Sequence, residues 1–300
     1  MADIAMRFHK DMLVLSSPLA PVLARQGFDM DEALEFTGIV EPEAVRGALR
    51  LNSVAGTQCL VANTAGVTPA RLAAAALDGR ERDVAAAAFA ALEDLRPQHV
   101  LVEVGPCGLP LDASSKNSLN ENRDQYARAA RAFAGRSFDA FFLNGFRNPT
   151  VLKCALMGVR QASDAVVFAS VDVDAEGLLA DGRHSLEDAL AVMLEYGAAV
   201  AGFSTAAPLD RAEALARRAC GLGTLPVLAQ LEVRAVDARQ GDVTPENPYF
   251  CSDTMVTAAV RLRAAGAQFL RATGQATPAY AGALVAASEG FDVVRTAGQA

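Results

Sequence analysis

Four carboxylates follow short apolar segments of the sequence, and carboxylates so placed can move protons or bind cations. They are Glu103, Asp172, Asp174 and Glu232. If the apolar segments are parallel strands, all four carboxylates lie at the same edge of the sheet. Three interpretations stay open: a general acid–base pair with shifted pKa values, a hard-cation site with Asp172 and Glu232 as oxygen ligands, or surface charges paired with nearby arginines.

Polar residues without a negative charge also follow these segments and could hold a small ligand. They are Asn63, Thr64, Asn144, Ser204, Arg271, Thr273 and Gln275. Arg271 could clamp a carboxylate or a phosphate, or it could form an ion pair with Glu103 or Glu232. Asn63 could instead organise the turn before Thr68. Together with Asp172, these residues are the predicted substrate-binding set.

The cysteines and histidines do not show the spacing of a metal site. Cys107, His184 and Cys251 follow three different apolar segments, so a soft-metal site built from them has no sequence motif behind it. His184 is expected to be exposed beside a helix start. Cys59, Cys154 and Cys220 are expected to be core thiols. Five scattered cysteines without a CxxC pair favour free thiols in a reducing cytoplasm.

The elements that must position these residues alternate along the chain. Eight strands are predicted, at 12–15, 58–62, 99–104, 140–143, 165–171, 199–203, 226–231 and 268–270. Eight helices are predicted between and after them, at 41–55, 69–94, 119–134, 149–161, 185–196, 209–221, 252–265 and 277–289. Nearly continuous Val- and Leu-rich strands that alternate with helices predict an α/β protein, a single (β/α)8 TIM barrel over residues 1–300. A doubly wound open sheet is the alternative.

Composition narrows the classes of partner. A formal net charge of −8 argues against nucleic acid or an anionic membrane as the main partner. No apolar run of 18 residues is free of charge or proline, so no transmembrane helix is expected, and the scattered cysteines favour the cytoplasm as the location. The sequence leaves a homo-oligomer open. Two segments, 236–253 and 117–123, are predicted to be lids or interaction surfaces.

Read in order, the strand ends resemble those of the homocysteine S-methyltransferase family, over about residues 13–284. The turn "CLVANTAGVTPARL" resembles the family's Thr-Asn-Thr-Phe turn and keeps Asn63 and Thr64. "VLVEVGPCG" keeps a Gly-Pro after the third strand, and Gly27 keeps the end of a short first helix. "ATGQATPAY" at 272–280 stands where the family reads Gly-Gly-Cys-Cys-Gly-Thr-Thr-Pro. The resemblance implies the barrel fold and small-molecule methyl transfer.

The same resemblance implies a zinc ion held by one cysteine after strand six and two adjacent cysteines after strand eight. Here these places read Gly-Phe-Ser-Thr at 202–205 and Thr-Gly-Gln at 273–275. Because hydroxyl and amide side chains are poor zinc ligands, we expect no zinc bound in the family manner and no metal residues. Other substrate positions differ too, with Ser16, Asn144 and Glu232 in place of Asp, Glu and Asn.

Two functions remain open. The first is an enzyme, a divergent methyltransferase that binds a small molecule at the barrel top, with a corrinoid or an S-methyl compound as donor and Glu103 or Glu232 as base. The second is a non-catalytic barrel that binds a corrinoid protein or another methyltransferase subunit. An enzyme should keep a polar cavity at the rim, whereas a scaffold could fill it with side chains such as Phe146, Phe203 and Tyr249.

Overall fold

A computed structural model describes residues 3–28, 33–235 and 242–294. Its eight strands form one parallel sheet in the order β1-β8-β7-β6-β5-β4-β3-β2. A bridge from Leu15 to Cys59 joins β1 to β2 and closes the barrel. The strands are β1 (Leu13–Val14), β2 (Cys59–Ala62), β3 (His99–Val104), β4 (Ala140–Phe146), β5 (Val166–Asp172), β6 (Val200–Thr205), β7 (Val227–Val233) and β8 (Phe269–Gly274).

Helices surround the sheet, as expected for strands that are all parallel and buried on both faces. They are α1 (Ala20–Arg25), α2 (Leu34–Val40), α3 (Pro42–Val54), α4 (Pro69–Ala74), α5 (Glu81–Leu92), α6 (Lys116–Arg131), α7 (Pro149–Ala162), α8 (Leu186–Glu195), α9 (Leu209–Gly221), α10 (Thr254–Ala264) and α11 (Pro278–Ser288). The local sequence explains several starts, since Asn148 caps α7 and Ser185 caps α8 through their side chains. The TIM-barrel prediction is therefore confirmed.

Two predicted helix boundaries were wrong. The helix expected over 69–94 is divided into α4 and α5, because the backbone turns at Ala76 and Gly79 with φ values of 55° and 69°. The helix expected from residue 119 begins earlier, at Lys116 after the Ser115 cap, so the polar run at 117–123 forms the first turns of α6. The short helix α2, which lies between α1 and α3, was not predicted.

The side chains inside the barrel form an apolar layer in the middle and a polar layer nearer the C-terminal ends of the strands. A buried apolar layer, which includes Leu101, Phe142, Phe168, Leu228 and Phe269, fills the middle. Because side chains alternate along a strand, the next inward positions toward the C-terminal ends are Glu103, Asn144, Ser170, Gln230 and Arg271. The apolar layer therefore supports a polar layer directly beneath the rim.

Candidate functional site

A cavity of about 300 Å³ opens at the C-terminal rim of the barrel. Its polar lining comes from four strand ends or their following turns and comprises Ser17, Asn63, Thr64, Glu103, Arg271 and Thr273. The apolar part of the cavity wall includes Leu19, Leu34 and Val61. Phe146, Phe203 and Tyr249 do not line the cavity and pack instead in the apolar core. A polar rim cavity is thus present, and it has the size of a small-molecule site.

Two of the lining residues, Glu103 and Arg271, belong to a ring of four hydrogen-bonded side chains. Asn144 Nδ2 donates to Glu103 Oε1 at 2.6 Å, and Gln230 Nε2 donates to Asn144 Oδ1 at 2.8 Å. Arg271 Nη1 completes the ring with 3.4 Å contacts to Gln230 Oε1 and Glu103 Oε1. Four strands contribute one member each, so the ring exists only when β3, β4, β7 and β8 are assembled.

Arg271 is the most constrained member of the ring, since only 3% of its surface is exposed. Its Nε donates to the carbonyl of Ser16 at 3.0 Å, and its Nη2 donates to Glu103 Oε2 at 3.3 Å. The guanidinium carbon lies 5.3 Å from the centroid of the Phe142 ring. The structure therefore shows the ion pair between Arg271 and Glu103 that the sequence left as one alternative. A second rim pair joins the exposed Arg147 to the partly buried Asp172 at 3.0 Å.

The other predicted site residues are divided between the cavity and the surface. Asn63 lines the cavity while its Nδ2 donates to the Leu34 carbonyl at 2.7 Å, which ties the turn after β2 to α2. Thr64 donates to the Glu103 carbonyl at 2.8 Å. Ser204 is buried on β6 but does not line the cavity. Glu232 and Gln275 are exposed at the rim.

The candidate metal-binding side chains do not come together. Cys107 is buried and donates to Asn122 Oδ1, whereas Cys251 is exposed. His184 is exposed beside the start of α8 and pairs with Asp181, as predicted for a helix-start residue. Cys59, Cys154 and Cys220 are buried, as predicted. In the described ranges, no group of three or more His, Cys, Asp or Glu side chains is arranged to hold a metal ion.

Two buried polar residues near the site were not predicted from the sequence. Gln230 is fully buried, and the available signal was a lone amide inside the apolar strand "VLAQLEV". Glu35 lies on α2, far from any strand end, and no pattern pointed to it. Its Oε1 accepts a hydrogen bond of 2.5 Å from the Gly66 amide. Burial raises the pKa of the Glu35 carboxyl above its ordinary value of 4.5, against the opposing effects of the Gly66 bond and of Arg71.

This buried carboxyl makes the stability of the protein depend on pH. Because the folded pKa of Glu35 exceeds 4.5, the folded state keeps a proton that the unfolded state releases, so the unfolding free energy falls as pH rises from about 4.5 through the folded pKa. We expect Glu35→Gln to keep the Gly66 bond, to be at least as stable as wild type at pH 7, and to lose this part of the pH dependence. Urea denaturation from pH 4.5 to 8 measures it.

Two variants complete this test. Glu35→Ala removes the acceptor for the Gly66 amide and should cost about 1–3 kcal/mol at every pH. Burial also raises the pKa of Asp172, so Asp172→Asn measures its parallel contribution. If Glu35→Gln kept the wild-type slope, the buried carboxyl would not be its source.

The predicted lid lies partly outside the described residues, which omit 236–241. The part that is described packs on the barrel. Tyr249 Oη donates to the Ala207 carbonyl and Tyr280 Oη donates to the Phe250 carbonyl, both at 2.7 Å. No helix among the described residues is long and apolar enough to span a membrane.

Comparison with known families identifies the chain. The model of a family described as homocysteine S-methyltransferase matches residues 15–270, which is most of the sequence. The chain belongs to the homocysteine S-methyltransferase family. A search of curated proteins finds no significant match to this family member.

Solved structures agree with the fold of this homocysteine S-methyltransferase family member. The oxidized form of the homocysteine methyltransferase MmuM from Escherichia coli superposes with a TM-score of 0.75 at 19% identity. The metallated form of the same enzyme gives a TM-score of 0.73 at 21% identity. Both alignments cover 93% of this chain and 96% of the MmuM chain. At such low identity the likeness shows the shared barrel.

Proposed function

We propose that this chain is a divergent member of its family that binds a small amino acid or a methyl-donor ligand at the barrel top and activates no thiol through zinc. The donor in any methyl transfer is a corrinoid or an S-methyl compound, as the family resemblance implies. The observation that carries the proposal is the polar cavity of about 300 Å³, which brings Glu103 and Arg271 together with Asn63, Thr64 and Thr273.

The chemistry of the cavity suits a ligand that both donates and accepts hydrogen bonds. Arg271 offers buried N–H donors, and its contacts to Glu103 and Gln230 are long, at 3.3–3.4 Å, so a ligand anion could compete for them. Glu103 offers carboxylate oxygens to a ligand cation. Side chains already held by the ring need little reorganisation, which favours affinity.

The strand ends do not suit zinc. The end of β6 presents Ser204 and Thr205, and the end of β8 presents Thr273 and Gly274, with Gln275 exposed beyond it. Zinc prefers thiolate, imidazole and carboxylate ligands, and this set contains none of them. A thiol acceptor would therefore need a protein base. Glu103 lines the cavity, and Glu232 lies beside Gly274, so these two carboxylates are the proposed bases.

Metal analysis tests the absence of zinc. We expect plasma mass spectrometry of tag-free protein, with and without added Zn²⁺, to find well under one tightly bound zinc per chain. About one zinc that survives dialysis against a chelator would contradict the proposal and would point to a ligand set built from other residues.

Ligand binding tests the cavity. Calorimetric titration with homocysteine and other small amino acids should give binding that Thr273→Val weakens, because Thr273 lines the cavity. Gln275→Ala is the matched control from the same strand end, since Gln275 is exposed and does not line the cavity. Equal effects of the two substitutions, or no binding at all, would count against a ligand site at the rim.

The ring of four side chains also supports the second function, a non-catalytic barrel. Glu103, Asn144, Gln230 and Arg271 satisfy one another without a ligand, as the core of a non-catalytic subunit would require. This alternative predicts no ligand binding and no methyl transfer, together with micromolar or tighter association with a purified corrinoid protein. Titration with that protein distinguishes the two functions.

A further inference from the structure

A second cavity lies at the opposite end of the barrel, where the strands begin. It is open to solvent and has a volume of about 650 Å³ between α5, the segment that leads into β3, and the segment that leads into β4. Residues from these segments line it: Ala86, Phe89, Ala90, Leu92, Glu93, Arg96, Pro97, Val100, Arg136 and Ser137. It shares no lining residue with the rim cavity, so it is a separate site.

The inner wall of this base cavity is apolar and rigid. Leu92 and Val100 are each only 4% exposed and belong to the core between the sheet and the helices. The Phe89 ring stands at the side, packed against Phe133 and Phe138. A flat aromatic or apolar group could cover these side chains and gain by leaving water.

Two arginines border the cavity without a negative partner. Neither the Arg96 nor the Arg136 guanidinium makes a hydrogen bond or an ion pair within the described part of the chain. The Arg136 guanidinium lies over the Phe89 ring at 5.3 Å, which holds it beside the apolar wall. Glu93 is the single carboxylate among the lining residues, so the two arginines leave the cavity with net positive charge. In a chain of net charge −8, this local sign is opposite to that of the whole protein.

The backbone of Arg96 is also unusual. Arg96 ends the short 3-10 helix Glu93–Leu95 in the left-handed conformation, with φ 45° and ψ 52°. Glycine occupies such a position at least cost, whereas an arginine there is strained. This left-handed residue brings the exposed, unpaired Arg96 side chain to the edge of the cavity.

From these observations we infer that the base cavity binds a small aromatic anion, with its flat body on Phe89, Leu92 and Val100 and its carboxylate or phosphate on Arg96 and Arg136. Two guanidiniums can share one anion through several charge-assisted hydrogen bonds. The volume fits a ligand of one or two rings. Carboxylate and phosphate have the same recognition chemistry here, so the experiment must separate them.

The test uses the full chain and the fluorescent probe 8-anilinonaphthalene-1-sulfonate, an aromatic body with one anionic group. Arg136→Gln should weaken its binding about tenfold, since one charge-assisted contact is lost. Arg96→Gly should do the same without loss of thermal stability, because glycine suits the left-handed backbone. Glu93→Gln should tighten binding by roughly threefold, since it removes a repelling charge. Arg211→Gln, a distant exposed arginine on α9, should change nothing.

Competition then defines the ligand class. Benzoate and phenyl phosphate should both displace the probe. The stronger competitor identifies whether the cavity prefers a carboxylate or a phosphate group. Benzyl alcohol, which lacks the charge, and inorganic phosphate, which lacks the ring, should fail. The inference is overturned if the arginine variants bind the probe as wild type does, or if the uncharged N-phenyl-1-naphthylamine binds as tightly as the sulfonate. These measurements use no ligand of the rim cavity. Their result therefore holds whether or not the rim cavity binds a ligand.

Discussion

Replacing Arg271 with methionine should cost the protein about 3–5 kcal/mol of unfolding free energy, because it leaves a largely buried carboxylate without its counter-ion. Arg271 is 3% exposed and the Glu103 side chain is 15% exposed, so water can solvate Glu103 only in part. The substitution also removes the donors to the Ser16 carbonyl and to Gln230. Urea denaturation of Arg271→Met measures the loss directly.

Two further variants separate the buried charge from the loss of packing. Glu103→Gln combined with Arg271→Met removes both charges, and it should recover much of the stability lost in the single variant. Arg147→Met breaks the pair between the exposed Arg147 and the partly buried Asp172 and should cost less than about 1 kcal/mol. If Arg271→Met were no worse than Arg147→Met, the ring would not hold the barrel mouth together.

Introducing cysteines at the strand ends should fail to create a zinc site. Any two adjacent positions within 273–275 include Gly274, whose φ is +66°. A Cβ atom on Gly274 would lie 2.5 Å from the Val233 carbonyl oxygen and 2.9 Å from Glu232 Cγ. A variant with Thr205→Cys, Thr273→Cys and Gly274→Cys should therefore bind no tight zinc and should lose about 2–4 kcal/mol of stability, mostly from position 274.

Single substitutions show which position causes this loss of stability. Thr273→Cys alone should change stability by less than about 1 kcal/mol, because Thr273 is only partly buried and its backbone is not left-handed. Gly282→Ala, in the interior of α11, meets Ala55 only at an ordinary 3.6 Å and should stabilise by about 0.5–1 kcal/mol. A triple-cysteine variant that is stable and holds one zinc would show that the β8 end adapts more readily than its geometry indicates.

The sequence alone determined the barrel and most of its boundaries. Alternation of apolar strands with capped helices is a local signal, and caps such as Asn148 and Ser185 act within one turn of the chain. The strand-end rule also placed Glu103, Asn63, Thr64, Arg271 and Thr273 at one rim, where they line one cavity. These predictions succeeded because they depend on the order of residues along single elements.

Only the tertiary structure decided which of these residues meet. The ring of Glu103, Asn144, Gln230 and Arg271 joins positions up to 168 residues apart, and no spacing along the chain encodes its closure. Glu35 accepts its hydrogen bond from Gly66 because α2 lies against the turn after β2, a long-range contact. Which arginines stay unpaired at the base of the barrel is likewise a property of the assembled surface. Side-chain pairing between distant strands depends on barrel closure. The sequence therefore predicted which residues lie at the rim but not the hydrogen bonds between them.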